Sequence, residues 1–217
     1  MGSTAGAQSI EYTRCAEGDV EAICDLLAEV FSRSDPPAVA AGVTALEFRP
    51  FVQLLLPKAD DGGLTIVARL ADSGKVVGAL LTEDGSSSLP DGMERLSPKF
   101  GPVFDILGQL EEEHPGHAEI AYGEKLHLFL LGVSPQVAGR GVAHELVRVC
   151  LENGSRLGYR TAVTEATNKV SQHIFRKAGF SERAARSYRE YRFEGRAVFA
   201  SIADEGGPML MEKPLTS

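Results

Sequence analysis

The chain has 217 residues, 43% of them hydrophobic and 24% charged, with a formal net charge of −8. That balance is ordinary for a soluble globular protein, and no apolar run approaches the ~20 residues that span a bilayer. The acidic excess argues against a nucleic-acid partner, which clustered Lys and Arg would bind, and mildly favours a cationic substrate. Three cysteines, Cys15, Cys24 and Cys150, are odd in number and too scattered for a disulfide framework or a zinc site. A reducing cytoplasm is the expected setting.

Taken in chain order, residues 1–8 belong to "MGSTAGAQS" and read as a disordered tail with no secretory signal. "IEYTRCA" (10–16) alternates as a strand, and 18–31 carries one helical apolar stripe, Val20, Ile23, Leu26, Leu27 and Val30. "SRSDPPAVAAG" breaks that pattern at two prolines. A second helix is predicted over 44–56, then a hairpin over 63–83 around "DSGK". Residues 98–114 turn helical in their later part. "KLHLFLLGV" (125–133) is apolar almost throughout, as in a central strand covered on both faces. A helix to about Leu157, a strand "YRTAVTEA" and a helix "NKVSQHIFRKA" closed by Gly179 follow. "FSERAARSYREYRF", "RAVFA" and "PMLMEK" read as strands. No repeat or linker divides the chain, so one mixed α/β domain over 9–215 is expected.

Strand, then Q-x-x-G-x-G (Gln136, Gly139, Gly141), then helix is the constellation that carries chemistry. Glycines let backbone approach an anion, and a helix start offers unpaired N–H groups and a positive dipole end. A Walker loop needs G-K-[ST], but Val142 and Ala143 follow Gly141. A Rossmann fingerprint needs Gly or Ala where His144 stands. The third possibility is the pyrophosphate of coenzyme A on residues 137–142. A glycine turn that merely allows tight strand–helix packing also fits the motif taken alone.

From Leu126 to Phe180, the strand "LFLLGV", this turn with its helix, the strand "TAVTEA" and the "N…S…F…AGF" helix together resemble the GNAT superfamily of N-acetyltransferases. "FSRSDPP", "PKFGPVFDILGQLEEE" and "YREYRFEGRAVF" extend the similarity to the insect-type arylalkylamine (dopamine-like) branch. The resemblance implies an α/β GNAT fold: a mixed, twisted sheet of six to seven strands, splayed between 125–133 and 160–166 and flanked by helices. Acetyl-CoA would lie in the splay. The backbone of Leu131, Gly132 and Val133 would pair with its pantetheine arm. Val137, Ala138, Gly139, Arg140, Gly141 and Val142 would hold its pyrophosphate, and Asn168, Ser171 and Phe175 would line its reactive end.

The resemblance also implies catalytic candidates. Asp35 falls at the acidic position before a proline, where the branch has Glu as base; its shorter side chain makes an intervening water more necessary. Thr167 and Ser171 fall at two hydroxyl positions and would share a face were the helix formed by Thr167. Thr167 and Asn168 are both natural N-caps. Phe175 stands where many GNAT enzymes have a Tyr acid, and it cannot donate a proton. His127 shares a strand face with Phe129, Leu131 and Val133, and as a neutral imidazole it would take an ammonium proton near pH 7. His114, His117, His144 and His173 read as loop or helix-surface residues, and no metal is expected. No cysteine sits beside the turn on its strand side, so transfer is expected by direct attack. The implied reaction is acetylation of a small, arylalkylamine-like primary amine by a monomer or weak dimer. A polyamine, amino-acid or protein amine acceptor, or a module that binds acyl-CoA with little turnover, is the alternative.

Overall fold

The computed structural model describes residues 9–59, 62–112 and 120–215; the expected tail (1–8), His114 and His117 lie outside them. The elements are β1 (Ile10–Arg14), α1 (Val20–Ser34), α2 (Pro36–Ala40), α3 (Ala45–Ala59), β2 (Ile66–Leu70) and β3 (Val76–Asp84). They continue with α4 (Gly101–Glu112), β4 (Lys125–Val133), α5 (Val142–Arg156), β5 (Thr161–Ala166), α6 (Lys169–Lys177), β6 (Ser181–Ala185) and β7 (Met209–Pro214).

The seven strands form one sheet in the order β1-β2-β3-β4-β5-β7-β6. Every neighbouring pair is antiparallel except β4 and β5, which are joined by the crossover helix α5 as a parallel pair requires. Strand alternation sends the apolar residues to two faces. Ile66, Ala68 and Leu80 meet Val142, Leu146 and Cys150 of α5, while Val67, Ala79 and Leu81 meet Ile23 and Leu27 of α1 and Val52 of α3. Both faces are therefore covered, which is why 125–133 carries so few polar residues. A third apolar cluster ties α4 to the segment after β6, through Val103, Ile106, Tyr188, Tyr191 and Phe199.

Four expectations need correction. Helix α1 runs through Ser32–Ser34, and the proline-rich break is itself a short helix, with Pro36 in its first turn, where a missing N–H costs nothing. Helix α3 extends past Leu56 and contains Pro57. "FSERAARSYREYRF" is strand only over Ser181–Ala185, and "RAVFA" is no strand: one bridge, Phe193↔Arg196, precedes a turn and the 3₁₀ stretch Ala200–Glu205. Its apolar side chains serve the third cluster rather than a ladder. Among the described residues no helix is long and apolar enough to cross a membrane.

Candidate active site

The β4–β5 ladder holds three rungs only, Lys125↔Thr161, Leu126↔Ala162 and His127↔Val163. Beyond His127 the strands part, while β4 stays bonded to β3 as far as Gly78↔Val133. One edge of β4 from Leu128 to Val133 thus faces a splay instead of a strand, an edge able to pair with an extended amide chain. Gly132 has a reason of its own: a Cβ there would stand 2.4 Å from Leu27 Cδ2 of α1.

After β4 the chain makes a short 3₁₀ turn, Pro135–Val137, and enters α5. The side chains of Val137 and Val142 are buried in the core and anchor both ends of this loop. Between them Ala138–Gly141 are exposed. Gly139 and Gly141 have φ of 74° and 75° with no atom within 4 Å of a built Cβ, so left-handed backbone, not crowding, demands glycine there. Gln136 ties the loop to the β2–β3 hairpin by accepting a 3.0 Å bond from Lys75 Nζ. An exposed glycine loop at a helix N-terminus, continuous with an unpaired strand edge, fits a pyrophosphate joined to an amide-bearing arm.

Beside the splay lies a cavity of ≈ 560 Å³ between α1, α3, α4 and the sheet. Phe31, Phe48, Phe51, Phe100, Phe104 and Phe129 line it, with Phe31 stacked on Phe48 at 5.1 Å and Phe100 on Phe104 at 5.2 Å. Asp35, Glu83, His127, Glu165, Thr167 and Ser171 are polar residues in the same wall. Phe175 packs edge-on against Phe180 at 5.2 Å and is 2% exposed, an apolar surface with no proton to give.

Asp35 caps α2, its Oδ2 accepting from the Ala38 N–H at 3.2 Å. Its Oδ1 accepts from the Thr167 hydroxyl at 2.6 Å, across 132 residues of sequence. Burial raises the carboxyl to about 6, although the Thr167 and Ala38 bonds pull the other way. Thr167 lies ahead of α6 rather than on it, so it shares no helical face with Ser171; Asn168 is the cap. Ser171 N–H donates to Asn168 Oδ1 at 2.8 Å, Asn168 N–H to Ser171 Oγ at 3.3 Å, and the Ser171 hydroxyl to the Asn168 carbonyl at 2.9 Å. The box fixes Ser171 at the cavity wall.

His127 is where the expectation of a neutral imidazole fails. Its Nδ1 lies 3.1 Å from Glu83 Oε1 on β3, and its Nε2 2.7 Å from Glu165 Oε2 on β5. Burial alone would lower its pKa, but the charge and hydrogen bond of Glu165, joined by Glu83, raise it to about 10. An imidazolium held between two carboxylates is no base at neutral pH. Glu83 and Glu165 were missed from sequence; the signal was an acidic residue near the end of each apolar strand flanking 125–133.

His144 and His173 are exposed, and no described group of three or more His, Cys, Asp and Glu could hold a metal. Cys150 lies 3.2 Å from Thr82 Oγ1, and burial pushes its thiol up to about 12, with Cys24 up to about 11. Neither is an activated nucleophile.

Comparison with known proteins accords with this arrangement. The C-terminal condensation domain of Ebony, solved with β-alanyl-dopamine, superimposes with a TM-score of 0.84 at 15% identity, over 96% of this chain and 100% of that one. Arylalkylamine N-acetyltransferase 2 from Aedes aegypti gives 0.78 at 18% identity, over 96% and 100%. The Drosophila melanogaster polyamine N-acetyltransferase that forms N-acetylagmatine gives 0.75 at 18%, over 95% and 100%. Such identities speak for the fold alone. Residues 21–180 match the acetyltransferase (GNAT) family. The chain belongs to that family and is an acetyl-CoA-dependent N-acetyltransferase.

Proposed function

We propose that this chain acetylates a small primary amine of arylalkylamine type by direct attack, with Asp35 as general base. The observation that carries this is the pair Asp35–Thr167 in the wall of a phenylalanine-lined cavity beside the splay. Acetyl-CoA supplies a reactive acyl thioester. The β4 edge at Leu131–Val133 and the loop 137–142 hold its arm and pyrophosphate. The phenylalanines take the aryl group and exclude water, which strengthens each polar contact in the site.

The ammonium must lose a proton before its nitrogen can attack. Asp35 is itself 7% exposed, and the Thr167 hydroxyl stands against it. A proton leaving the amine reaches Thr167 Oγ1 while the Thr167 proton moves to Asp35 Oδ1, ending with a neutral amine and a protonated carboxyl. This places a protein hydroxyl where the shorter Asp called for water. Ser171, held by its box with Asn168, is the hydroxyl available to the departing thiolate, since Phe175 has none. A carboxyl near 6 is ionised at neutral pH yet basic enough to accept a proton.

A polyamine acceptor is the second reading, favoured by the acidic side chains Glu83 and Glu165 in the same wall. The acidic net charge supports a reading that excludes a nucleic-acid partner; a cytoplasmic monomer or weak dimer with no membrane partner is proposed with it. Single-turnover thiol release from acetyl-CoA with tryptamine, dopamine and spermidine separates the possibilities. Release with the aryl amines at higher kcat/KM than spermidine is expected. The reverse order supports the polyamine, and acetyl-CoA binding without release for every amine removes the enzyme assignment.

A further inference from the structure

Three stretches distant in sequence meet behind Asp35: the α1–α2 junction, the β5–α6 junction and the segment after β6. Thr167 lies between the last β5–β7 rung, Ala166↔Met209, and the first residue of α6. Its carbonyl accepts a 2.8 Å bond from the Tyr188 hydroxyl. Tyr188 is fully buried, packed edge-on against Phe199 at 5.3 Å, and its own N–H donates to the Gly206 carbonyl at 2.9 Å. It does not line the cavity.

We propose that Tyr188 is a positioning residue: by holding the Thr167 carbonyl it fixes the Thr167 hydroxyl on Asp35, and so fixes the carboxylate that faces the acceptor. The inference rests on Asp35 being the base. A Thr side chain is stiff about χ1, so turning the 167 peptide carries Oγ1 with it. The Thr167 bond to an ionised Asp35 is short and charge-assisted, and such bonds weaken steeply when misaligned. Tyr188 stays a donor at working pH, because burial and the charges of Asp35 and Glu205 push its phenol well above the ordinary range. The groups facing Asp35 are the Ala38 N–H from α2, the Thr167 hydroxyl from the β5–α6 junction and, behind Thr167, Tyr188.

The test is an NMR titration of protein labelled with ¹³C at the Asp carboxyl carbon, the Asp35 signal being assigned by its loss in Asp35→Asn. In Tyr188→Phe the Asp35 midpoint is expected to rise by about half a pH unit or more, because a hydrogen bond that favours the anion is weakened. The acid limb of the amine kcat/KM profile should move the same way, with KM for acetyl-CoA unchanged. Replacing Tyr188 with 4-fluorophenylalanine keeps the volume of the hydroxyl while removing its proton, and should reproduce the shift where Tyr188→Phe is too unstable to titrate. An unmoved Asp35 midpoint in the variants overturns the proposal. A midpoint that rises while the kinetic limb stays put leaves the positioning link standing and removes Asp35 as base.

Discussion

His127 Nε2 stands 2.7 Å from Glu165 Oε2 at the last rung before β4 and β5 separate. With Glu83 it makes an ionic bridge across three strands, so the splay begins where a buried charge cluster ends. Removing His127 leaves two carboxylates facing each other with side chains 13% and 10% exposed.

His127→Gln is therefore expected to destabilise the fold by about 3–5 kcal/mol, the range for breaking a buried ion pair. The folded pKa is raised above 6.5, so this contribution is complete below 6.5 and is lost as pH rises through about 10. Wild-type stability should fall across that window and the variant's should stay flat, in urea titrations at stepped pH. Glu165→Gln on top of His127→Gln should recover part of the loss.

Asp35 has the opposite relation to stability. Its folded pKa, about 6, lies above the ordinary 3.8, so the neutral form suits the fold and stability drops as pH rises through about 6. The gap corresponds to roughly 3 kcal/mol. Asp35→Asn, whose amide oxygen still accepts a hydrogen bond, should be more stable than wild type at pH 8, and the gain should vanish by pH 4. Chemical denaturation at the two pH values checks this.

Two kinds of glycine should respond differently to alanine. Gly139→Ala and Gly141→Ala strain a left-handed residue in open space, costing about 1 kcal/mol each, and should raise KM for acetyl-CoA several-fold with the fold intact. Gly132→Ala drives a methyl into Leu27 and should destabilise by about 1–3 kcal/mol, as overpacked cores do. Thermal melts beside acetyl-CoA saturation curves separate the two.

Ser171 and Asn168 share one box but not one role. Asn168→Ala should cost about 1 kcal/mol, the value of an N-cap. Ser171→Ala should lower kcat by on the order of 10- to 100-fold with a smaller change in melting temperature, because the Asn168 cap bond to the 171 N–H survives.

Much of the frame was legible from local pattern. Strand 125–133 has the bounds its apolar run implied, and α5 begins directly after Gly141, where the glycine turn placed it. These features depend on neighbours a few residues away. Partnerships between distant segments left a weaker trace. Nothing near His127 names Glu83 or Glu165, and only strand register brings the three together. Thr167 read both as a candidate hydroxyl and as a cap residue, and only the fold binds its hydroxyl to Asp35, 132 residues away in sequence. "RAVFA" has strand composition, yet Phe199 is fully buried against Tyr188 and Tyr191, and tertiary packing decides its conformation.

The central claim is that Asp35 deprotonates an amine that then takes the acetyl group. Single-turnover thiol release, followed from pH 5 to 9 with tryptamine in wild type and Asp35→Asn, tests it most directly. Wild type should show an acid limb near the Asp35 pKa of about 6, and the variant should be slower by about 10²-fold or more with that limb gone. A variant that keeps the wild-type rate and the wild-type limb would contradict the account.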